Sequence, residues 1–356
     1  MPPNPEDRPN LLVHLAGGVN PSARQAFSQA LTETLVGNEA DRVKPLQKLD
    51  DAITGYTFDL VPLRKALKFG TGVDNTLVHL IQASLQSLPF GKPRIANSVR
   101  GPQDVLQLIS TTGVDLFDSQ WAVDLATFGV ALDFTFPIPS SQTGPPTTRT
   151  RDNGRTDIGH NLYNGNYAAD FNRLSTLLLD GQSKSSTPNS MGDAAKEQRW
   201  CPCAACSPVS PRTQLKHSQV DEHIPDPSVS SEPQPAHTRA YIHHLLHTHE
   251  MSAHALLTVH NLSVVDQFFA DIRGVLERDG VEKFTEEAQK FRDWYDDDDA
   301  AQGLDGVEEV EVVGGVVGRE AKGDWASVDK ARGKGRLARE KENTSAAALE
   351  EAEVVQ

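Results

Sequence analysis

Residues 94–118 read RIANSVRGPQDVLQLISTTGVDLFD. The first six form a short strand, and Gly101-Pro102 then places a proline in the first turn of a helix, where its missing N–H costs nothing. Val105, Leu106 and Ile109 line one face of that helix, and Gly113 supplies the residue that ends it. Val114, Leu116 and Phe117 make a second strand that delivers Asp118 to its carboxyl end. A strand, a crossover helix and a second strand in so short a span predict parallel pairing, because the helix carries the chain back to the starting edge.

The same grammar runs upstream. Leu11-Leu12-Val13 leads into Gly17-Gly18, and Phe27, Leu31 and Leu35 recur at helical spacing within 21–35. Val78, Ile81, Leu85 and Leu88 give another helical stripe in 75–88, which Gly91-Lys92-Pro93 stops. The expected fold class is therefore α/β, a parallel sheet or barrel with crossover helices outside it. Residues 138–155 and 182–195 are rich in Pro, Ser, Thr and Gly and read as loops. Residues 207–238 carry six prolines and little apolar periodicity, which predicts disorder. Order returns at 241–251, then in a strand-like run Leu256-Leu257-Thr258-Val259, then in a helix over 262–278 with Val265, Phe268, Phe269, Ile272 and Leu276 on one face. Beyond about 295 the chain is acidic and lacks a core pattern, apart from a transient helix at 344–354. The division expected is α/β units over 1–137, an irregular linker over 138–195, a second ordered block over 196–280, and an acidic, mostly disordered tail over 281–356.

Net charge is −15 and 38% of the residues are hydrophobic. An excess of acid argues against broad nucleic-acid affinity, although Lys92, Arg94 and Arg100 form a local set that could face phosphate. The first ten residues are polar and proline-rich, unlike a signal segment, and no apolar run approaches the roughly 20 residues that cross a bilayer. The composition reads as cytoplasmic. All three cysteines fall between 201 and 206, which suits a metal site in a reducing compartment better than a disulfide framework.

Cys201-Pro202-Cys203-Ala204-Ala205-Cys206 can converge three thiolates on one ion if the backbone turns tightly, and thiolates favour zinc. Six histidines, His243, His244, His247, His249, His254 and His260, are packed into the later block, and spacing alone does not choose among them. His260 closes the strand-like run immediately before a helix, a rigid position, whereas most of the others belong to the preceding helix. A Cys3His set leaves no open coordination position, so one structural zinc per chain is expected, held by Cys201, Cys203, Cys206 and His260. His243 and His247 lie one helical turn apart and could share a hydrolytic metal, but no H-E-x-x-H pattern accompanies them. Two aromatic pairs, Phe268-Phe269 and Trp294-Tyr295, read as core or interface rather than base-stacking platforms.

The cysteine cluster followed by Arg239-Ala240-Tyr241-Ile242-His243-His244-Leu245-Leu246, Glu250-Met251 and Leu256-Leu257-Thr258-Val259-His260-Asn261-Leu262 is similar to the zinc-binding segment of the tRNA-guanine transglycosylases. In that family the histidine of the final His-Asn motif, here His260, is the fourth ligand. Residues 208–238 stand as an insertion relative to the family. Gly101-Pro102-Gln103-Asp104-Val105-Leu106 and Gly113-Val114-Asp115-Leu116-Phe117-Asp118-Ser119 resemble barrel segments of the same family, whose last aspartate is the catalytic nucleophile. The resemblance implies a (β/α)8 barrel carrying an inserted zinc subdomain, and puts Asp118 at the nucleophile position; read without it, Asp118 is more readily a loop cap than a nucleophile.

Departures from the family matter as much. Ala16 stands where the base-reading glutamine belongs, Gly55-Tyr56-Thr57-Phe58-Asp59-Leu60 lacks the family's double glycine, and Gln120 to Leu132 resembles the eukaryotic accessory, non-catalytic subunit. The resemblance covers about 10–137 and 157–280 and begins midway through the barrel, so the general-base aspartate has no counterpart, and an amino-terminally truncated form is expected. It implies a heterodimer with a catalytic queuine tRNA-ribosyltransferase subunit that exchanges guanine for queuine at the wobble position, tRNA being gripped by the complex. A peripheral association with the mitochondrial outer surface is implied by family only. The alternative is an active transglycosylase using Asp118.

Overall fold

In the computed structural model the described residues are 10–67, 75–138, 148–175, 201–210 and 232–296. Four strands, β1 (Leu12–His14), β2 (Gly55–Asp59), β3 (Arg94–Asn97) and β4 (Leu116–Phe117), form one parallel sheet in the order β1-β2-β3-β4. Leu12 sits opposite Gly55, Tyr56 opposite Arg94, and Ile95 opposite Leu116. Sequential order with parallel pairing is the pattern that winds in one direction, without the strand-order reversal of a doubly wound sheet. Among the described residues the parallel sheet has these four strands, half the number of a (β/α)8 barrel.

Three of the helices of these βα units fall where the spacing predicts them, and the others there were not read from the sequence. Helix α1 (Pro21–Thr32) starts with Pro21 behind Asn20, whose side chain accepts from Ser22 N and Ala23 N. After α2 (Gly37–Val43) and α3 (Leu60–Leu67), helix α4 (Asn75–Leu85) buries Leu77, Val78, Leu80 and Ile81. Helix α5 (Pro102–Thr112) ends at Gly113 with φ 65°, a left-handed cap that glycine takes without steric cost. Asp104 on α5 forms a buried ion pair with Arg64. Helix α6 (Gln120–Thr127) leads to β5 (Val130–Leu132).

Within residues 138–195, read as largely irregular, two short strands, β6 (Thr156–Asp157) and β7 (Gly159–Asn161), follow the first loop, and β7 pairs antiparallel with β5. Two expectations need correction. The stretch 207–238 is structured at both ends, where β8 (Val209–Ser210) pairs with β9 (Glu232–Pro233); 211–231 lies outside the described residues. The strand-like run 256–259 is helical. After α7 (Arg239–His247), helix α8 (Met251–Trp294) buries Ala253, Leu257, His260, Asn261, Val265, Phe268, Ile272 and Val275, a three-to-four spacing that starts before the run and passes through it. A strand would have buried Leu257 and Val259 together, yet Val259 is 45% exposed.

The tail also begins later than 281. Gly280, with φ 80°, breaks α8, but the helix resumes and buries Phe284, Ala288 and Phe291, and β10 (Tyr295–Asp296) pairs with β6. Phe134 and Phe136 meet Phe268, Phe284, Phe291 and Tyr295 mostly edge to face, at centroid separations of 5.4 to 6.3 Å. Phe268 and Tyr295 are thus core residues rather than stacking platforms. The acidic residues from 297 on, and the helix read at 344–354, lie outside the described residues.

Candidate metal centre

Cys201, Cys203, Cys206 and His260 converge, all buried, with their potential ligand atoms within 4.8 Å of one another. The local fold explains how three cysteines in six residues face one point. Cys203 O accepts from Cys206 N at 3.2 Å and from Ser207 N at 2.8 Å, closing a tight turn. Ser207 Oγ donates to Cys201 O, Arg173 donates to Cys206 O, and His237 N donates to Ala205 O, so the turn is fastened from three directions. His260 comes from the buried stripe of α8, one residue before Asn261.

The dimensions suit a tetrahedral ion. His260 Nδ1 lies 3.8, 3.6 and 3.4 Å from the Sγ atoms of Cys201, Cys203 and Cys206. Metal–sulfur and metal–nitrogen bonds of the lengths zinc makes, at tetrahedral angles, require about 3.5 Å between S and N. The other ring nitrogen, Nε2, donates to Leu132 O at 2.9 Å, which fixes the tautomer so that Nδ1 keeps a free lone pair. Cys206 N donates to Cys203 Sγ at 3.3 Å, the kind of support a thiolate needs, and Cys201 Sγ donates to Ser263 Oγ at 3.5 Å.

The electrostatics call for a cation. The Cys201 thiol is driven far down by its hydrogen bonds with Cys203 and Cys206, while Cys206 is driven far up by Cys201, because thiolates this close cannot all ionise together. Burial opposes charge on His260, yet hydrogen bonds donated to the Cys201 and Cys203 sulfurs push its pKa up to about 10. A divalent ion would resolve this frustration by taking the place of the shared protons. The four residues therefore fit a metal ion by distance, donor type and supporting hydrogen bonds.

Behind the ligands lies a layer the sequence reading did not assign. Asn261 accepts from Leu132 N through Oδ1 at 2.9 Å, and its Nδ2 donates to Ala122 O and Val130 O at 3.0 Å each. Leu132 is thus held at its N–H by Asn261 and at its carbonyl by His260. One residue on, Asp133 accepts from His160 Nε2 at 2.9 Å, Ser175 Oγ at 2.8 Å and Arg239 at 3.4 Å. Burial works against its charge, but these partners, led by His160, hold its carboxyl below the usual carboxylate range. Asn261 was legible only as the second residue of the His-Asn motif, and nothing in the sequence gave Leu132 or Asp133 a role.

The other candidates fall elsewhere. Asp118 follows β4 at its carboxyl end; Oδ2 accepts from Ser98 N at 2.6 Å while Oδ1 is buried without a partner, and burial pushes its carboxyl up. His243 and His247 bind the carbonyls of Leu162 and Tyr163 at 2.7 and 3.2 Å, so each ring has one nitrogen engaged in fastening α7. Two of the three cations expected to face phosphate do not: Lys92 is tied to Asp50 at 2.7 Å and Arg94 is 5% exposed. Arg100 N donates to Asp104. No helix among the described residues is long and apolar enough to cross a membrane.

Fold and site together define an α/β protein whose sequentially ordered parallel sheet is joined to a buried Cys3His cluster capable of holding a metal ion. The family model for queuine tRNA-ribosyltransferase matches residues 6–293, and the chain belongs to that family. Among its relatives are queuine tRNA-ribosyltransferase accessory subunit 2 of Pongo abelii, 28% identical over 59% of this chain and 43% of the relative, and that of Homo sapiens, 27% identical over 59% and 42%. The protein of the same name from Culex quinquefasciatus is 25% identical over 77% of this chain and 57% of its own length. The chain spans about half the length of the curated relatives it matches.

Proposed function

We propose that the chain is the non-catalytic accessory subunit of a queuine tRNA-ribosyltransferase, holding one zinc ion at Cys201, Cys203, Cys206 and His260 and pairing in the cytoplasm with a catalytic subunit that exchanges guanine for queuine in tRNA. The observation that carries this reading is the family match combined with relatives named as accessory subunit 2. The single winding direction of the sheet supports a (β/α)8-type barrel segment. Ala16, just after β1, has no amide with which to read a base edge.

Zinc bound by four protein ligands supplies a cross-link and no open position for a substrate. The chemistry left to this chain is therefore architectural: the 201–206 turn is clamped onto α8, and Leu132 orients His260 through Nε2. The test is zinc stoichiometry of the purified chain and of His260→Ala, together with co-purification of a co-expressed catalytic subunit. One zinc per chain, lost in the variant, with the catalytic subunit retained by the parent, is expected. Absence of zinc in the parent would overturn the metal assignment. A covalent adduct of this chain alone with tRNA, abolished by Asp118→Asn, would overturn the non-catalytic reading.

A further inference from the structure

The sequence holds two Asn-Gly pairs, Asn153-Gly154 and Asn164-Gly165. Such a pair can modify itself, because the glycine nitrogen, unhindered by a Cβ, can attack the asparagine Cγ. The new C–N bond closes a succinimide ring as ammonia leaves, and water then opens the ring at one carbonyl to aspartate or at the other to isoaspartate. Water is consumed, ammonia is released, and no oxidant or enzyme is needed. What the reaction does need is a glycine nitrogen and a carboxamide that are free to meet.

The fold treats the two pairs differently. Asn153 Nδ2 donates to Asp296 Oδ2 at 2.8 Å, Asn153 Oδ1 accepts from Arg155 N at 2.9 Å, and Gly154 N donates to Arg151 O at 2.9 Å. All of these groups must let go before they can react. Asn164 caps a single 3-10 turn, Gly165–Tyr167, and among the described residues its side chain has one hydrogen bond, accepted by Oδ1 from Asn166 N at 3.0 Å. Gly165 N opens that turn, a position where helix geometry offers an N–H no acceptor. Both residues are exposed, and a Cβ built on Gly165 would meet nothing within 4 Å. The same turn carries Tyr167, whose hydroxyl meets His160 Nδ1 at 2.9 Å, while His160 Nε2 donates to Asp133 at 2.9 Å. Isoaspartate routes the main chain through the side-chain carbon, which inserts a methylene directly before the turn.

We propose that Asn164-Gly165 is a self-modification site, and that its conversion to isoaspartate draws Tyr167 away from His160 and loosens the network around Asp133. The site does not depend on the accessory-subunit reading. The experiment ages the full chain in mildly alkaline buffer and follows both pairs by peptide mass spectrometry, with the two corresponding synthetic peptides as unfolded references. Asn164 is expected to convert at least about tenfold faster than Asn153, which hydrogen bonds protect on every reacting group, while the two peptides convert at similar rates. Gly165→Ala should stop conversion at Asn164 without lowering the melting temperature, because the added methyl has room. The isoaspartyl form, separated by anion exchange, should melt below fresh protein. Tyr167→Phe, which already lacks the bond to His160, should lose less on ageing than the parent. Conversion of Asn153 as fast as that of Asn164, an isoaspartyl form that melts with the parent, or equal losses in the parent and Tyr167→Phe would overturn the proposal.

Discussion

Asn261→Ala is the most informative single perturbation of the layer behind the metal cluster. Asn261 is fully buried and its amide makes three hydrogen bonds, one from Leu132 N and two to the carbonyls of Ala122 and Val130. Each buried hydrogen bond contributes about 1 kcal/mol net, and the stranded Leu132 N–H adds a desolvation penalty of about 1–3 kcal/mol, so a loss of about 4–6 kcal/mol is expected. For a folded region of this size that is a fall of roughly 8–24 °C in melting temperature. A second consequence follows from Leu132, whose carbonyl receives the Nε2 proton of His260. Freeing Leu132 loosens the ring that aims Nδ1 at the cysteines, and loss of such outer support lowers metal affinity on the order of tenfold. The assay pairs thermal unfolding of the metal-loaded chain with metal release to a chromogenic chelator, using the half-exposed neighbour Leu262→Ala as control. If Asn261→Ala melts within a degree or so of the control and gives up metal no faster, the three-way tie does not support the site, and the reasoning fails.

Asp133 gives a pH test. Its folded-state pKa is depressed, so its contribution is complete above the unfolded value of about 3.9 and is lost as pH falls through the lower folded value; melting temperature measured from pH 6 to 3 should decline on that account in the parent and less steeply in Asp133→Asn. Ser98 adopts φ 66° while its N–H and C=O serve Asp118 and Arg64 through the backbone alone, so Ser98→Gly should keep both bonds and raise stability by about 1 kcal/mol in urea unfolding; a loss would mean its side chain matters. Phe291 is wholly buried among Phe134, Phe136, Phe268 and Tyr295, and Phe291→Ala should cost about 3–5 kcal/mol, which a tail beginning at 281 would not register.

The parallel βα units were legible because their signals are local: Pro102 and Gly113 bracket α5, and apolar spacing marks α4. The metal ligands were legible for a different reason, since three cysteines in six residues have few other uses. What misled was the run 256–259, where four residues are too few to separate period 2 from period 3.6, and only the stripe from Ala253 to Val275 settles it. The helix read over 262–278 stops short because a helix can resume beyond one left-handed residue, Gly280, when Phe284 and Phe291 have a core to enter. Arg94 and Lys92 read as surface cations because sequence does not show that Phe90 and Asp50 lie against them.

The convergence on β5 yields a last prediction. Val130 and Leu132 are bonded to Asn261, Leu132 to His260, and Asp133 to His160, Ser175 and Arg239, so segments far apart in the chain meet on four consecutive residues. Asp133 N also donates to Ile158 O at 2.9 Å, tying the same stretch to the residue between β6 and β7. Asn261 and Asp133 do not bond to each other, and if each acted alone their effects would add. Because both fix the backbone of one short strand, loss of either should relax the partners of the other, and the double variant Asn261→Ala/Asp133→Asn should lose less than the sum of the singles by about 1 kcal/mol or more in urea unfolding at neutral pH. Strict additivity would show that β5 is held independently on its two sides, and that the metal cluster and the Asp133 network merely lie beside each other.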